Sequence, residues 1–240
     1  MNLTIIETGE VPEALRPGFG TYPDMFAAMM ARHGQYGFET VAVHRSEPLP
    51  DPAGLDAVLI TGSPAGVYED HAWLEPLFGF IRATYRADAP MAGICFGHQA
   101  MARALGGVVE KSDKGWGMGR HSYRVADDVF AELPGTIAVA CSHQDQVLVP
   151  PPGAKVFLSS DFAPYAGLIY DNGAAISVQP HPEFSDDYAM ALAELRRGRA
   201  PDAVVDAALN SFSTPSDSVA LSAAITRFLE DAARRRSSPA

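Results

Sequence analysis

Four short apolar runs, Leu3–Ile6, Phe38–Val43, Ala57–Ile60 and Met91–Ile94, are separated by segments that read as helix or loop. This spacing constrains the fold more than any other feature of the chain. Strands that alternate with helices return to one sheet as parallel neighbours, which predicts a parallel sheet with helices on both faces. Ala57–Ile60 is apolar at every position, as suits a strand buried on both sides. Helices are read at Asp24–Arg32, Trp73–Tyr85 and His98–Leu105, the last stopped by Gly106-Gly107. In such a sheet the crossovers are right-handed, and functional groups gather in loops at the strands' carboxyl ends.

The second half reads as richer in strands: Ser122–Val125, Ile137–Cys141, Lys155–Leu158, Gly167–Tyr170 and Ala174–Val178. The last two flank Asp171-Asn172-Gly173, a hairpin turn in which Asn and Gly tolerate positive φ. Helical segments follow at about Asp186–Arg197, Asp202–Asn210 and Ser216–Arg235. The last carries Val219, Leu221, Ala224, Ile225, Phe228 and Leu229 as a broad apolar stripe. No repeat, low-complexity tract or interior linker interrupts the chain. One α/β domain over 1–240 is expected, with a core of about 1–185 and C-terminal helices at about 186–236.

The formal charge of −11 disfavours binding to a phosphate backbone or an anionic membrane, since both would repel it. No apolar stretch is long enough to span a bilayer, and Met1–Ile6 lacks the features of a secretory signal. The two cysteines, Cys95 and Cys141, make no disulfide framework, so a cytoplasmic setting is expected.

The most informative segment is Met91-Ala92-Gly93-Ile94-Cys95-Phe96-Gly97-His98-Gln99. An apolar strand runs through Gly-x-Cys-x-Gly into a helix, the layout of a nucleophile elbow with cysteine as the nucleophile. The turn is sharp, so the residues two before and two after must be small, as Gly93 and Gly97 are. The thiol then stands at the positive end of a helix, which favours thiolate, and the Phe96 N–H faces any oxyanion formed there. A free cysteine is more often a small buried hydrophobe; that is the expectation for Cys141, at the end of an apolar strand.

The second segment is Gln179-Pro180-His181-Pro182-Glu183. The prolines hold the residues before them extended, and in extended chain positions i and i+2 share a face. His181 and Glu183 are thereby placed together, with the carboxylate holding one ring nitrogen and the other left for Cys95, the logic of a nucleophile, base and orienting acid.

Together, Gly93–Gln99 and His181-Pro182-Glu183 resemble the class I glutamine amidotransferase family, in motif and in order, over roughly Ile60–Phe184. Two further segments fit. Thr61-Gly62-Ser63-Pro64 resembles the family's glycine-rich oxyanion loop, with Ser63 where glycine is common, so the donor is the N–H of Gly62 or Ser63. Ser142-His143-Gln144-Asp145 resembles the stretch bordering the glutamine site, and Gln99 matches the glutamine that contacts the substrate's amino-acid end. The resemblance implies a flavodoxin-like fold and cleavage of a γ-glutamyl amide through a Cys95–His181–Glu183 triad and a thioester. Phe96 and Gly62 or Ser63 would stabilise the oxyanion, and Gln99 with Ser142–Asp145 would hold the substrate. L-glutamine or another γ-glutamyl compound is the implied substrate, with no cofactor and no metal; His98, His143 and His181 lack close ligand spacing.

Three functions remain open from sequence: a glutaminase passing ammonia to a separate synthetase, a self-sufficient γ-glutamyl peptide or amide hydrolase, and a non-catalytic binding or regulatory subunit. In the chaperone and protease branch of the same fold His usually follows the nucleophilic Cys directly; here Phe96 does. Lys114–Arg120 is read as a glycine-rich loop beside the substrate entrance, Gly9–Gly20 as a candidate lid, and Tyr68-Glu69-Asp70 as a solvated helix start.

Overall fold

The apolar runs become strands close to their expected positions. The computed structural model describes residues 1–126 and 130–237, so the ends of the expected 1–240 span at 238–240 lie outside the described residues. In order, the first half forms β1 (Asn2–Glu7), α1 (Arg16–Phe19), α2 (Tyr22–Ala31), β2 (Gly37–Ala42), β3 (Ala57–Ile60), α3 (Leu74–Arg86), β4 (Met91–Ile94) and α4 (Phe96–Ala104). The second half forms β5 (Val108–Lys111), β6 (Gly117–Val125), β7 (Thr136–His143), β8 (Asp145–Val149), β9 (Ala154–Ser159), β10 (Gly167–Tyr170) and β11 (Ala175–Val178). It closes with α5 (Asp186–Leu195), α6 (Asp202–Ser211) and α7 (Ser218–Ser237).

A nine-stranded sheet runs in the order β2-β1-β3-β4-β11-β10-β9-β6-β7. The five strands from β2 to β11 pair in parallel, and the remaining four extend the sheet antiparallel. This is the expected single-domain α/β fold, a mostly parallel sheet flanked by helices, and its order reverses at β1 and β3 as in flavodoxin-like sheets. Alternate residues of one strand serve two cores. Ala57 and Leu59 of β3 pack with Phe26 and Ile225 on one face; Val58 and Ile60 pack with Leu77, Ile81 and Met101 on the other.

The helices begin where side chains replace missing backbone acceptors. The Thr21 hydroxyl accepts from Asp24 N–H while the Asp24 carboxylate accepts from Thr21 N–H, a capping box on α2. Ser185 caps α5 by accepting from Tyr188 N–H. Leu221, Ala224, Ile225 and Leu229 of α7 are buried in the same core as α2, so the last helix completes a face of the sheet. Val219 is 55% exposed and lies off that apolar stripe.

Several details differ from the sequence expectation. β5 and β8 pair as a separate two-stranded ladder that periodicity did not reveal. β6 begins at Gly117 and pairs along its length with β7, so only the first part of Lys114–Arg120 is a turn. At Tyr68-Glu69-Asp70 a turn closes at Glu69, whose N–H donates to Gly66 O, and the helix starts later, at Leu74. Among the described residues, no helix is long and apolar enough to cross a membrane.

What places the site is the level pairing of β4 with β11, Ile94 opposite Val178. The chain leaving β4 at Cys95 and the chain leaving β11 at Gln179 therefore emerge side by side, next to the loop leaving β3 at Thr61.

Candidate active site

Cys95 joins β4 to α4 with φ 52° and ψ −103°. A positive φ is sterically strained for a residue with a side chain, and such strain persists only where neighbouring bonds fix it. Here Cys95 N–H donates to Val178 O at 2.8 Å and Gly97 N–H donates to Thr61 O at 3.1 Å. The expected need for small neighbours is met with little room left. A Cβ at Gly97 would lie 2.3 Å from Ile60 O, and one at Gly93 would lie 2.6 Å from the Gly97 carbonyl.

His181 N–H donates to Ala140 O at 2.8 Å, tying the extended segment after β11 to β7. His181 Nδ1 lies 2.6 Å from Glu183 Oε1, and the imidazole lines the same cavity as the Cys95 side chain. Burial opposes the imidazolium, but the adjacent Glu183 carboxylate and Cys95 sulfur outweigh it, and the His181 pKa is pushed up to about 10. Glu183 Oε2 is buried with no hydrogen-bond partner among the described residues, so His181 is the carboxylate's partner in this pocket. The Phe184 ring lies on the imidazole at 3.9 Å and 7° between planes, which fixes its tilt.

A second chain of contacts reaches the sulfur from behind. Gln179 Nε2 donates to Cys95 Sγ at 3.5 Å; its Oε1 accepts from Gln99 Nε2 at 3.1 Å. Gln99 Nε2 also donates to Asp145 O at 2.9 Å, and that carbonyl is 3.1 Å from His143 Nδ1. Burial drives the His143 pKa down to about 3, so this imidazole stays neutral and serves the loop. The Asp145 carboxylate accepts from the Tyr68 hydroxyl at 3.0 Å, and Gln144 O accepts from Ser112 N–H at 3.0 Å. His98 is buried against Ser177 Oγ at 2.8 Å, and burial pushes the Cys141 thiol up to about 12; both are part of the interior.

A cavity of about 180 Å³ opens over Cys95. Of the residues the sequence nominates, Gly62, Ser63, Cys95, Ser142 and His181 line it. Glu183 stands behind His181, while Gln99, His143 and Asp145 form the bonded layer beneath and Gln144 lies alongside on the same loop. Gly62 is held close: a Cβ there would approach His181 Cε1 to 3.1 Å. The Ser63 hydroxyl donates to Thr8 O at 2.8 Å, which turns the side chain away and fixes its backbone. Among the described residues, the N–H groups of Gly62, Ser63 and Phe96 have no hydrogen-bond acceptor. A wider groove of about 490 Å³, lined by Leu49, Trp73 and Phe80, contains no paired nucleophile and base. Among the described residues, no group of three or more His, Cys, Asp or Glu is placed to hold a metal ion.

Gln179, Phe184 and Arg196 escaped the sequence reading. Gln179 opens the quoted segment and Phe184 directly follows it, where an amide and a ring flanking the base were signals without an assigned partner. Arg196, the C-cap of α5, lines the cavity from a helix whose distance along the chain offered no signal.

The glutamine amidotransferase class-I family model matches residues 24–190. The chain is 35% identical over 141 residues to the glutamine-hydrolysing GMP synthase of Aromatoleum aromaticum, covering 55% of this chain and 26% of that protein. It thus spans about a quarter of the length of such relatives. It is 24% identical over 229 residues to a glutamine amidotransferase-like protein of Schizosaccharomyces pombe, covering 88% of this chain and 91% of that one. Its fold matches that of a glutamine amidotransferase from Thermotoga maritima with a TM-score of 0.73 at 20% identity, covering 97% and 98% of the two chains.

Proposed function

Because the chain belongs to the class-I glutamine amidotransferase family, we propose that it hydrolyses a γ-glutamyl amide bond with Cys95 as nucleophile, His181 as base and Glu183 as the orienting acid. One observation supports this most: a strained, positive-φ Cys95 shares its cavity with an imidazole whose Nδ1 is 2.6 Å from a buried carboxylate. That combination has a cost in backbone strain and charge burial that packing alone does not require.

With Nδ1 donating to Glu183, Nε2 is left to take the thiol proton. The Cys95 sulfur attacks the γ-carbonyl carbon; the carbonyl oxygen becomes an oxyanion facing the free N–H groups of Phe96 and of Gly62 or Ser63. Collapse expels the amine, which leaves with the proton held on His181, and a γ-glutamyl thioester remains on Cys95. Water, deprotonated by His181, then attacks the thioester carbon and releases glutamate with the thiol regenerated. The Gln99–Gln179 amide pair holds the sulfur through the Gln179 Nε2 donor, and Ser142 borders the substrate. No metal or organic group is required by any of these steps.

The implied substrate is L-glutamine, the product amine being ammonia for a separate synthetase; a γ-glutamyl peptide or amide is the second reading. The test is glutamate release by the purified protein from L-glutamine and from γ-glutamyl dipeptides, with Cys95→Ser as control. Release that vanishes with the substitution supports the triad, and the preferred substrate separates the two readings. Release unchanged in Cys95→Ser overturns the assignment, and no release from either substrate leaves a glutaminase that needs its synthetase partner or the non-catalytic alternative.

A further inference from the structure

The wall of the cavity facing Cys95 is cationic. Arg196 and Arg199, from the end of α5 and the turn after it, line the cavity together with Leu192 and Leu195. Arg196 is half-buried. Its Nε donates to Ser142 Oγ at 3.1 Å, and its guanidinium carbon stands 4.1 Å above the Trp116 ring. Those contacts hold the flat face and one N–H and leave the terminal nitrogens without an acceptor among the described residues. Burial lowers the Arg196 pKa, only partly offset by the negative forms of Tyr22 and Cys95 nearby.

The arginines are notable for what they lack. The chain has 29 acidic residues against 18 Lys and Arg, and several of its other arginines find them: Arg16 and Arg45 bind Glu10, Arg120 binds Asp186, Arg197 binds Glu194 and Asp206. Among the described residues, no carboxylate forms an ion pair with Arg196 or Arg199. Glu10, the acid on the opposite rim, is already neutralised by Arg16 and Arg45. A half-buried guanidinium without an acidic partner has its charge met by water alone until an anion enters. The Trp116 stack and the Ser142 bond present the planar fork of nitrogens in one orientation, the arrangement that binds a carboxylate through two parallel hydrogen bonds.

We propose that Arg196, with Arg199 at the rim, forms a carboxylate subsite of the Cys95 cavity, so that the substrate is a γ-glutamyl compound with a carboxylate remote from the reacting carbon. This rests on the hydrolase reading above and sharpens it. The carboxylate has two chemical sources, the α-carboxylate of the glutamyl half and a carboxylate on the leaving amine. Arg196 is a positioning residue here: it touches the substrate away from the bond that breaks.

The experiment uses two matched pairs, L-glutamine against L-glutamine α-amide, and γ-glutamylglycine against γ-glutamylglycine amide. In the unaltered protein the acid of at least one pair is favoured in kcat/KM. Arg196→Ala should erase that preference by raising KM of the acid about 10- to 100-fold, the loss expected of a charge-assisted hydrogen-bond partner, with kcat nearly unchanged. Arg196→Lys should restore part of it, and Arg199→Ala should weaken it less. The pair whose preference collapses identifies the carboxylate. A fall in kcat with both preferences intact overturns the proposal, because Arg196 then acts only through Ser142 and Trp116; a preference equal in all variants overturns it as well. Binding of the same four compounds to Cys95→Ala protein, followed by calorimetry, separates this idea from turnover. Acid-selective binding that depends on Arg196 in a protein without hydrolase activity sinks the reaction and keeps the subsite. Binding indifferent to Arg196, or absent for all four compounds, sinks the subsite.

Discussion

Glu183→Gln is the substitution that most directly probes the proposed base. The side chain keeps its size and its place behind His181 but loses its charge, and its amide can donate to Nδ1 where the carboxylate only accepts. The carboxylate is fully buried, with Oε1 2.6 Å from Nδ1 and the second oxygen without a partner. In the native protein the His181 pKa is raised from 6.5 to about 10 although burial opposes it. At about 1.4 kcal/mol per unit, a rise of that size is on the order of 5 kcal/mol of preference for the imidazolium, supplied jointly by Glu183 and Cys95. Without Glu183 burial is opposed by Cys95 alone, and the His181 pKa should fall well below about 10. The amide introduced by Glu183→Gln would also favour the tautomer with hydrogen on Nε2, which presents a donor to the thiol where an acceptor is needed. Loss of the correct tautomer and of imidazolium stabilisation predicts a fall in kcat/KM of about 100- to 10,000-fold. Two assays check it: glutamate release, and titration of the His181 ring by NMR in isotope-labelled protein. The linkage has a definite sign. A raised histidine pKa adds stability that is fully present below about pH 6.5 and disappears as the pH climbs through about 10. The variant should therefore be less stable than the native protein near neutrality, by about 3–5 kcal/mol as for a broken buried ion pair, and the gap should close above about pH 10. A variant with kcat/KM within threefold of native, or an unchanged His181 midpoint, would refute this account of the base.

Three further outcomes are expected. Gly97→Ala should overpack the elbow, since the added carbon meets Ile60 O at 2.3 Å; the cost of about 1–3 kcal/mol or more should appear as a melting temperature lower by about 2–4 °C per kcal/mol, and an unshifted transition would contradict it. Phe184→Leu removes the ring stacked 3.9 Å from the imidazole and should reduce kcat roughly tenfold through loss of orientation, with little change in KM for either substrate; a change confined to KM would place Phe184 at the substrate instead. Alkylation of the folded protein near neutral pH should add one label, at Cys95, because Cys141 is buried and its thiol is pushed up to about 12; mass spectrometry showing a label on Cys141 in folded protein would disprove its enclosure.

The legible parts of the site were those written locally. Cys95 between Gly93 and Gly97 after an apolar strand describes its own backbone turn, because steric exclusion at a tight turn acts on neighbours in sequence. His181 and Glu183 share a face because extended chain has a period of two. The less legible parts depend on partners far away. Gln99 looked like a substrate contact, and the structure shows its amide bonded to Gln179 and Asp145 O, a layer beneath the cavity. β5 and β8 are short, and their pairing joins residues almost forty positions apart, so neither carried enough alternation to stand out alone. The C-terminal helices read as a tail, yet α7 fills one core and the end of α5 walls the cavity.

By itself, then, the sequence determined the alternation of strand and helix, the strained elbow at Cys95 and the pairing of His181 with Glu183, because hydrophobic period, glycine placement and proline restriction act over a few residues. Only the tertiary structure decided that β4 lies beside β11, so that a thiol and an imidazole 86 positions apart line one cavity. It alone also decided that Arg196 faces them without an acidic partner. Those outcomes depend on sheet register and helix packing, which are set by the burial of two whole cores and are written in no single segment of the chain.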